Sequence, residues 1–304
     1  MFWYDGRLYE STDEKGFDGD QVVEDAGEMA GAVQFRKLMG GPGLRFGATV
    51  FTTLRVYEQC LDHPMTQWVA HCDRLLHSAT AFRWMLPDWT NLRSGAQQLQ
   101  HHYPVLRMAL FPDGKVWIAG RQLPEQLAQQ QREGVACWLA PPDYGRSLPI
   151  HKTGNYLACW LARQQAQRVG ASEAILTSAQ GEWLETASGN LWGWADGRWW
   201  TPLTNQCLPG LMRARLQKLV TESGRVVTGE PWTRSVLKGF DAIAYSNCVV
   251  ELVPIHTIFD GQTTLKYDAQ HASLKALQRA LQQQIAQSNF FENCPSKMRT
   301  ADDS

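Results

Sequence analysis

Residues 148–156 read Leu-Pro-Ile-His-Lys-Thr-Gly-Asn-Tyr, and the reading of the lysine at the centre of that stretch decides the fold. Pro149 and Gly154 punctuate it. Lys152 therefore ends an extended run and stands directly before a helix predicted over 155–169. An amine held by rigid neighbours at such a junction can lose its proton and attack a carbonyl. Taken alone, an ordinary surface lysine explains the residue as well. His151 is expected to point away from it, because neighbours on an extended chain diverge.

Two downstream stretches bear on the choice. Residues 183–190, Trp-Leu-Glu-Thr-Ala-Ser-Gly-Asn, place Glu185 at the end of a strand. Residues 208–213, Leu-Pro-Gly-Leu-Met-Arg, open a helix predicted over 211–221. The free N–H groups of a helix start favour an anion, and Gly210 allows the backbone to approach a ligand. Cys248 has no histidine paired with it in the sequence and reads as a buried structural thiol.

The rest of the chain is mixed strand and helix. A hairpin is predicted over 2–9 about Asp5-Gly6, a strand over 45–57, a helix over 68–82, and a second hairpin about Asp113-Gly114. In the 45–57 strand, alternation sets Phe51, Thr53 and Arg55 on one face and Val50, Thr52 and Leu54 on the other. Short strands follow at 135–139, 173–177, 183–184, 191–194, 198–201, 242–245 and 249–255, with a last helix at 269–284. Pro141-Pro142-Asp143-Tyr144-Gly145 breaks the pattern and marks a lobe boundary. The expected organisation is α+β: a smaller N-terminal lobe over 1–141, with 11–43 as a loop or insertion, a larger lobe over 146–290, and a frayed tail over 291–304.

Composition excludes several classes. The formal net charge of −1 leaves no electrostatic footprint for nucleic acid. The thirteen tryptophans are scattered and fit core packing better than base stacking. No apolar run spans a bilayer, and the start lacks the basic and apolar regions of a signal peptide. The seven cysteines include no Cys-x-x-Cys pair, so reduced thiols in a cytoplasmic protein are expected, with no metal site.

Six stretches together carry a resemblance: Arg-Phe-Gly-x-x-Val-Phe-x-x-x-Arg at 45–55, His-x-x-Arg-Leu at 71–75, Lys-x-Gly-Asn-Tyr at 152–156, Leu-Glu-x-x-x-x-Asn-Leu at 184–191, Leu-Pro-Gly-Leu-Met-Arg at 208–213 and Ser-Asn-Cys-Val-Val-Glu-Leu-Val-Pro-Ile at 246–255. In this order they resemble the class IV aminotransferase-like family, the fold-type IV pyridoxal-phosphate enzymes. The resemblance implies two α+β lobes with pyridoxal 5'-phosphate between them, as a homodimer. It implies Lys152 as cofactor lysine and proton shuttle, Glu185 on the pyridine nitrogen, and Tyr156 and Asn190 beside the cofactor. Arg74, the Leu211 and Met212 amides and position 248 would hold the phosphate. Cys248 stands where the aminotransferases commonly have threonine. A thiol is a poor donor, so its amide or Ser246 is expected to substitute.

The reaction divides two ways. Phe-Thr-Thr-x-Arg-Val at 51–56 and Asn247 look like the aminodeoxychorismate lyases, which release pyruvate from 4-amino-4-deoxychorismate to give 4-aminobenzoate. In that reading Thr53 assists the proton transfer, and Phe46 and Arg107 face the substrate, Arg107 toward carboxylate. Lys-x-Gly-Asn-Tyr is equally at home in aminotransferases for branched-chain or D-amino acids, which would use 2-oxoglutarate.

Overall fold

Asp5 and Gly6 both take positive φ, 44° and 94°, the geometry of a tight two-residue hairpin turn. The turn joins β1 (Phe2–Tyr4) to β2 (Arg7–Tyr9). The computed structural model describes residues 1–9, 41–202, 205–261 and 263–288. Of the segment expected at 11–43 only 41–43 fall inside, and the tail expected at 291–304 lies outside.

Strands β3 (Val50–Arg55), β4 (Val105–Leu110) and β5 (Val116–Arg121) complete an antiparallel five-stranded sheet in the order β2-β1-β5-β4-β3. Its period-two pattern separates two faces. Val50, Leu54, Leu106, Met108, Leu110 and Ile118 pack with Leu75 and Ala79 of α2 (Trp68–Ala81) and Leu92, Ala96 and Leu99 of α3 (Trp89–Gln100). Gly95 of α3 is a matter of space, since a Cβ there would overlap the Trp3 ring. The opposite face carries Phe51, Thr53, Arg55, Val105 and Arg107. Val105 packs into the core of the second sheet.

That second sheet has nine strands. They are β6 (Val135–Leu139), β7 (Glu173–Thr177), β8 (Trp183–Thr186), β9 (Asn190–Ala195), β10 (Arg198–Trp200), β11 (Val227–Thr228), β12 (Ala242–Asn247), β13 (Glu251–Asp260) and β14 (Thr263–Lys266). The order is β11-β10-β9-β12-β13-β6-β7-β8, with β14 on β13. One face holds Cys137, Ile175, Leu191, Ile243, Tyr245, Val253 and Ile255. On the other, Trp192, Ala242, Ala244 and Leu252 pack against α6 (Leu211–Glu222) and α8 (Ala272–Ser288). The alternation along β9 and β12 assigns each residue to its layer. Ala174 and Leu176 receive α5 (Leu157–Arg168). Short helices α1 (Pro42–Phe46), α4 (Leu127–Glu133) and α7 (Arg234–Leu237) fill corners. The α+β class follows.

Several expectations are corrected. The strand predicted from 45 starts at Val50, because Pro42 opens helix α1 and Gly47, at φ 64°, closes it. Helix α3 has too few apolar residues to announce itself, yet Asp88 caps it by accepting from the N–H groups of Thr90 and Asn91. Strand β6, placed before the boundary at 141–145, pairs with β13 and β7. The change of sheet therefore comes between Arg121 and Val135, and the Pro-rich break is a corner within the larger sheet. Among the described cysteines Cys72, Cys137, Cys159, Cys207 and Cys248 are free. No helix of the described residues is long and apolar enough to cross a membrane.

Candidate active site

The approach to Lys152 is a turn rather than the extended run expected. Leu148 has φ 52°, and His151 N–H closes on Leu148 O at 2.9 Å. The stretch then docks on β3. Phe51 N–H donates to Lys152 O at 2.8 Å, Gly154 N–H donates to Thr49 O at 2.7 Å, and Thr153 bridges Val50. The backbone of the lysine is thus stitched to β3, the edge strand of the five-stranded sheet.

The side chain of Lys152 is half-buried between two rings. Its Nζ lies 4.7 Å from the Phe51 centroid and 4.8 Å from that of Tyr156, and it donates to Tyr156 Oη at 2.8 Å. Desolvation, then the charges of Arg74 and Arg146, bring its pKa down to about 7, with Glu185 opposing and Arg107 adding to the fall. An amine that is half deprotonated near neutrality is a competent nucleophile and base. His151 does not join it. Its Nδ1 lies 3.0 Å from Ser78 Oγ, and its ring stacks on His77.

Glu185 lies within β8 with both oxygens engaged. Oε1 accepts from Arg146 Nε at 2.8 Å, and Oε2 accepts from Leu208 N–H at 3.0 Å and Asn190 Nδ2 at 3.5 Å. Arg146 also donates to the carbonyls of Pro149 and His151, so it braces the lysine turn. Sequence reading missed Arg146. Its signal was an arginine six residues before the lysine, hidden in a stretch read as a boundary.

Arg74 on α2 donates through Nη2 to Thr52 Oγ1, which lies 2.6 Å from His71 Nδ1. Arg74 Nε and His71 Nε2 are buried and have no partner among the described residues. Burial, then Arg74 and Lys152, push the His71 pKa well down, so its ring is neutral. Thr52 and His71 stand inside the quoted stretches at 51–56 and 71–75, but sequence reading gave neither a role in the site. Thr52 lies on the face assigned to the core, and a hydroxyl there announces a buried polar contact.

Helix α6 opens after Gly210 with no side-chain cap. The positive charges of Arg74, Lys152 and Arg215 and the Met212 N–H act to favour the Cys248 thiolate. Burial nevertheless raises the Cys248 pKa, so the thiol is protonated. Gly210 serves its neighbour: a Cβ would overlap Asn190 Oδ1, while Asn190 Nδ2 donates to Leu208 O at 2.9 Å. Asn247 Oδ1 accepts from the N–H groups of Val249 and Val250, folding the turn that presents Cys248, and its Nδ2 donates to Ser188 O. Ser246 Oγ is taken by Trp192 Nε1 at 2.9 Å.

Arg107 lies over the Phe51 ring at 3.6 Å and pairs across β3 with Thr53. Phe46 stands apart on α1, 72% exposed, with Arg45 over its ring. The structure thus brings Lys152, Tyr156, Arg74, Glu185, Asn190, Met212, Cys248, Arg107 and Thr53 toward one region, and leaves Phe46 exposed at the surface. No cluster of metal-ligating side chains occurs among the described residues.

A family model described as amino-transferase class IV matches residues 49–258. The chain is 25% identical over 241 residues to a branched-chain-amino-acid aminotransferase of Pseudomonas aeruginosa, covering 72% of this chain and 78% of that enzyme. It is 22% identical over 238 residues to an aminodeoxychorismate lyase of Vibrio harveyi, covering 72% and 86%. A solved structure titled as a hypothetical aminotransferase from Mycobacterium tuberculosis, PLP-bound form, superposes with a TM-score of 0.67 at 20% identity, over 81% of this chain and 91% of that one.

Proposed function

This chain belongs to the class IV aminotransferase family, and from that premise we propose that it binds pyridoxal 5'-phosphate at Lys152 and releases pyruvate from 4-amino-4-deoxychorismate to give 4-aminobenzoate, a folate precursor. The carrying observation is the Lys152 amine, brought to about 7 between two aromatic rings.

The residues fit the cofactor. The orphaned Arg74 Nε and His71 Nε2 are the donor chemistry of a phosphate cradle, and α6 opens after Gly210 with no side-chain cap. Arg74 and the Leu211 and Met212 region would hold the phosphate, and Glu185 would accept from the ring nitrogen. Bound pyridoxal phosphate supplies an electron sink for the carbon beside the substrate nitrogen. Lys152 Nζ takes the proton from the ring carbon that bears the substrate nitrogen and returns it to the departing pyruvate fragment. Tyr156 Oη holds that amine in place. Arg146 Nε donates to Glu185 Oε1 and holds that carboxylate in place. Thr53, across from Arg107, stands on the substrate side. Arg107, with no carboxylate partner among the described residues, receives a substrate carboxylate.

The second reading, an aminotransferase for branched-chain or D-amino acids, is favoured by the Pseudomonas aeruginosa relative. We also propose a cytoplasmic homodimer. Leu157, Trp160 and Leu161 fall on one side of α5 and are exposed, as are Leu148 and Ile150 before Lys152.

Purified chain reconstituted with pyridoxal phosphate should release pyruvate from 4-amino-4-deoxychorismate without a keto-acid acceptor. A strict requirement for 2-oxoglutarate transfers the assignment to transamination. Failure to take up the cofactor ends both.

A further inference from the structure

The inner face of the five-stranded sheet carries more positive charge than the site just described uses. Strand register sets three rows across it: Phe51–Ala109–Trp117, Thr53–Arg107–Ala119 and Arg55–Val105–Arg121. Positions two apart share a face, so Arg55, Arg107 and Arg121 surround Val105 on the side that meets Lys152.

Their charges are met unequally. Arg55 pairs with Glu251 at 2.8 Å. Arg107 has the Phe51 ring beneath it and no ion pair among the described residues. Arg121, exposed at the end of β5, has neither ion pair nor hydrogen bond among the described residues. Desolvation lowers the pKa of both, Arg121 weighs further on Arg107, and Arg163 of α5 weighs on Arg121. Arg163 itself stands 3.8 Å from Glu173. Like charges placed diagonally on a sheet repel. Ala119, directly opposite Arg107 and two residues before Arg121, fills none of the space between them.

We propose that Arg107 and Arg121 together recognise the second carboxylate of a dicarboxylate substrate, with Arg107 nearer Lys152 and Arg121 as an outer specificity-determining residue. An arriving carboxylate relieves the repulsion and accepts charge-assisted hydrogen bonds from both guanidiniums. A monocarboxylate leaves the cationic pair unmet. This rests on the reading of Lys152 as the reacting amine. It goes further in assigning Arg121, which no motif marks.

The test uses the full chain incubated with pyridoxal phosphate and two unreactive probes of equal length, glutarate and valerate, titrated at low ionic strength by calorimetry. The parent should bind glutarate at least about tenfold more tightly than valerate, the scale of one charged hydrogen bond. Arg121→Gln should remove most of that preference and leave valerate within about twofold. Arg121→Lys should retain part of it, and neither exposed substitution should change the melting temperature. A glutarate preference unchanged in Arg121→Gln overturns the inference, whether or not the cofactor is bound. Borohydride reduction and peptide mass analysis report the cofactor separately: no adduct on Lys152 overturns the cofactor reading alone.

Discussion

Arg146 Nε donates to Glu185 Oε1 at 2.8 Å, and the two side chains are only 4% and 5% exposed. A buried pair of this kind contributes little net stability, but removing one partner strands the other charge. Arg146→Ala should therefore lower the unfolding free energy by about 3–5 kcal/mol. Arg146→Ala combined with Glu185→Gln should recover part of the loss. Urea denaturation of the four proteins in the cycle measures it, and strictly additive losses would sink the pairing argument.

The Lys152 amine is brought to about 7 from 10.5. Between those values the unfolded chain binds more protons than the folded one, so the stability of the cofactor-free protein should rise as pH increases from about 7 toward 10. Below pH 7 both states are protonated and the buried cation exerts its full cost. Lys152→Met should accordingly be more stable than the parent at pH 6, by roughly 1–3 kcal/mol after screening of the half-buried amine. The gap should narrow with rising pH. A difference that stays constant from pH 6 to 9 would falsify the depressed value.

Thr52 Oγ1 receives Arg74 Nη2 and touches His71 Nδ1. Thr52→Val keeps the shape and strands both groups, which should cost about 1–3 kcal/mol. It should also weaken pyridoxal phosphate retention during ultrafiltration, because Arg74 loses the contact that aims it. Thr52→Ser should restore most of both. Retention in Thr52→Val equal to that of the parent would mean that Arg74 needs no guide.

Gly210 borders Asn190 Oδ1 with no room for a methyl group. Gly210→Ala should destabilise by about 1–3 kcal/mol through that overlap. Because Asn190 also holds Leu208 O and Glu185, the substitution should disturb near-ultraviolet circular dichroism as well as melting temperature. An unchanged spectrum with a lowered melting temperature would confine Gly210 to a helix-start role.

Much of this was readable in advance where side-chain chemistry and local pattern agree. The Asp5-Gly6 turn, β6, α2 and the start of α6 lie where hydrophobic period and turn residues place them. What escaped depended on contacts distant in the chain. Arg146 matters because it meets Glu185, thirty-nine residues away. Thr52 matters because His71 and Arg74 come to it from another element. Gly210 was read as an opening for a ligand, and only packing reveals Asn190 in that space. Helix α3 was hidden because its stability lies in the Asp88 cap and the fit of Trp3 against Gly95.

Phe51 caps the Lys152 amine with its ring and grips the Lys152 carbonyl with its own N–H. One residue therefore serves as both lid and hinge pin. Any drift of one sheet against the other must carry the amine along with its wall, so breathing of the molecule alters how a substrate enters without changing how it meets the nitrogen.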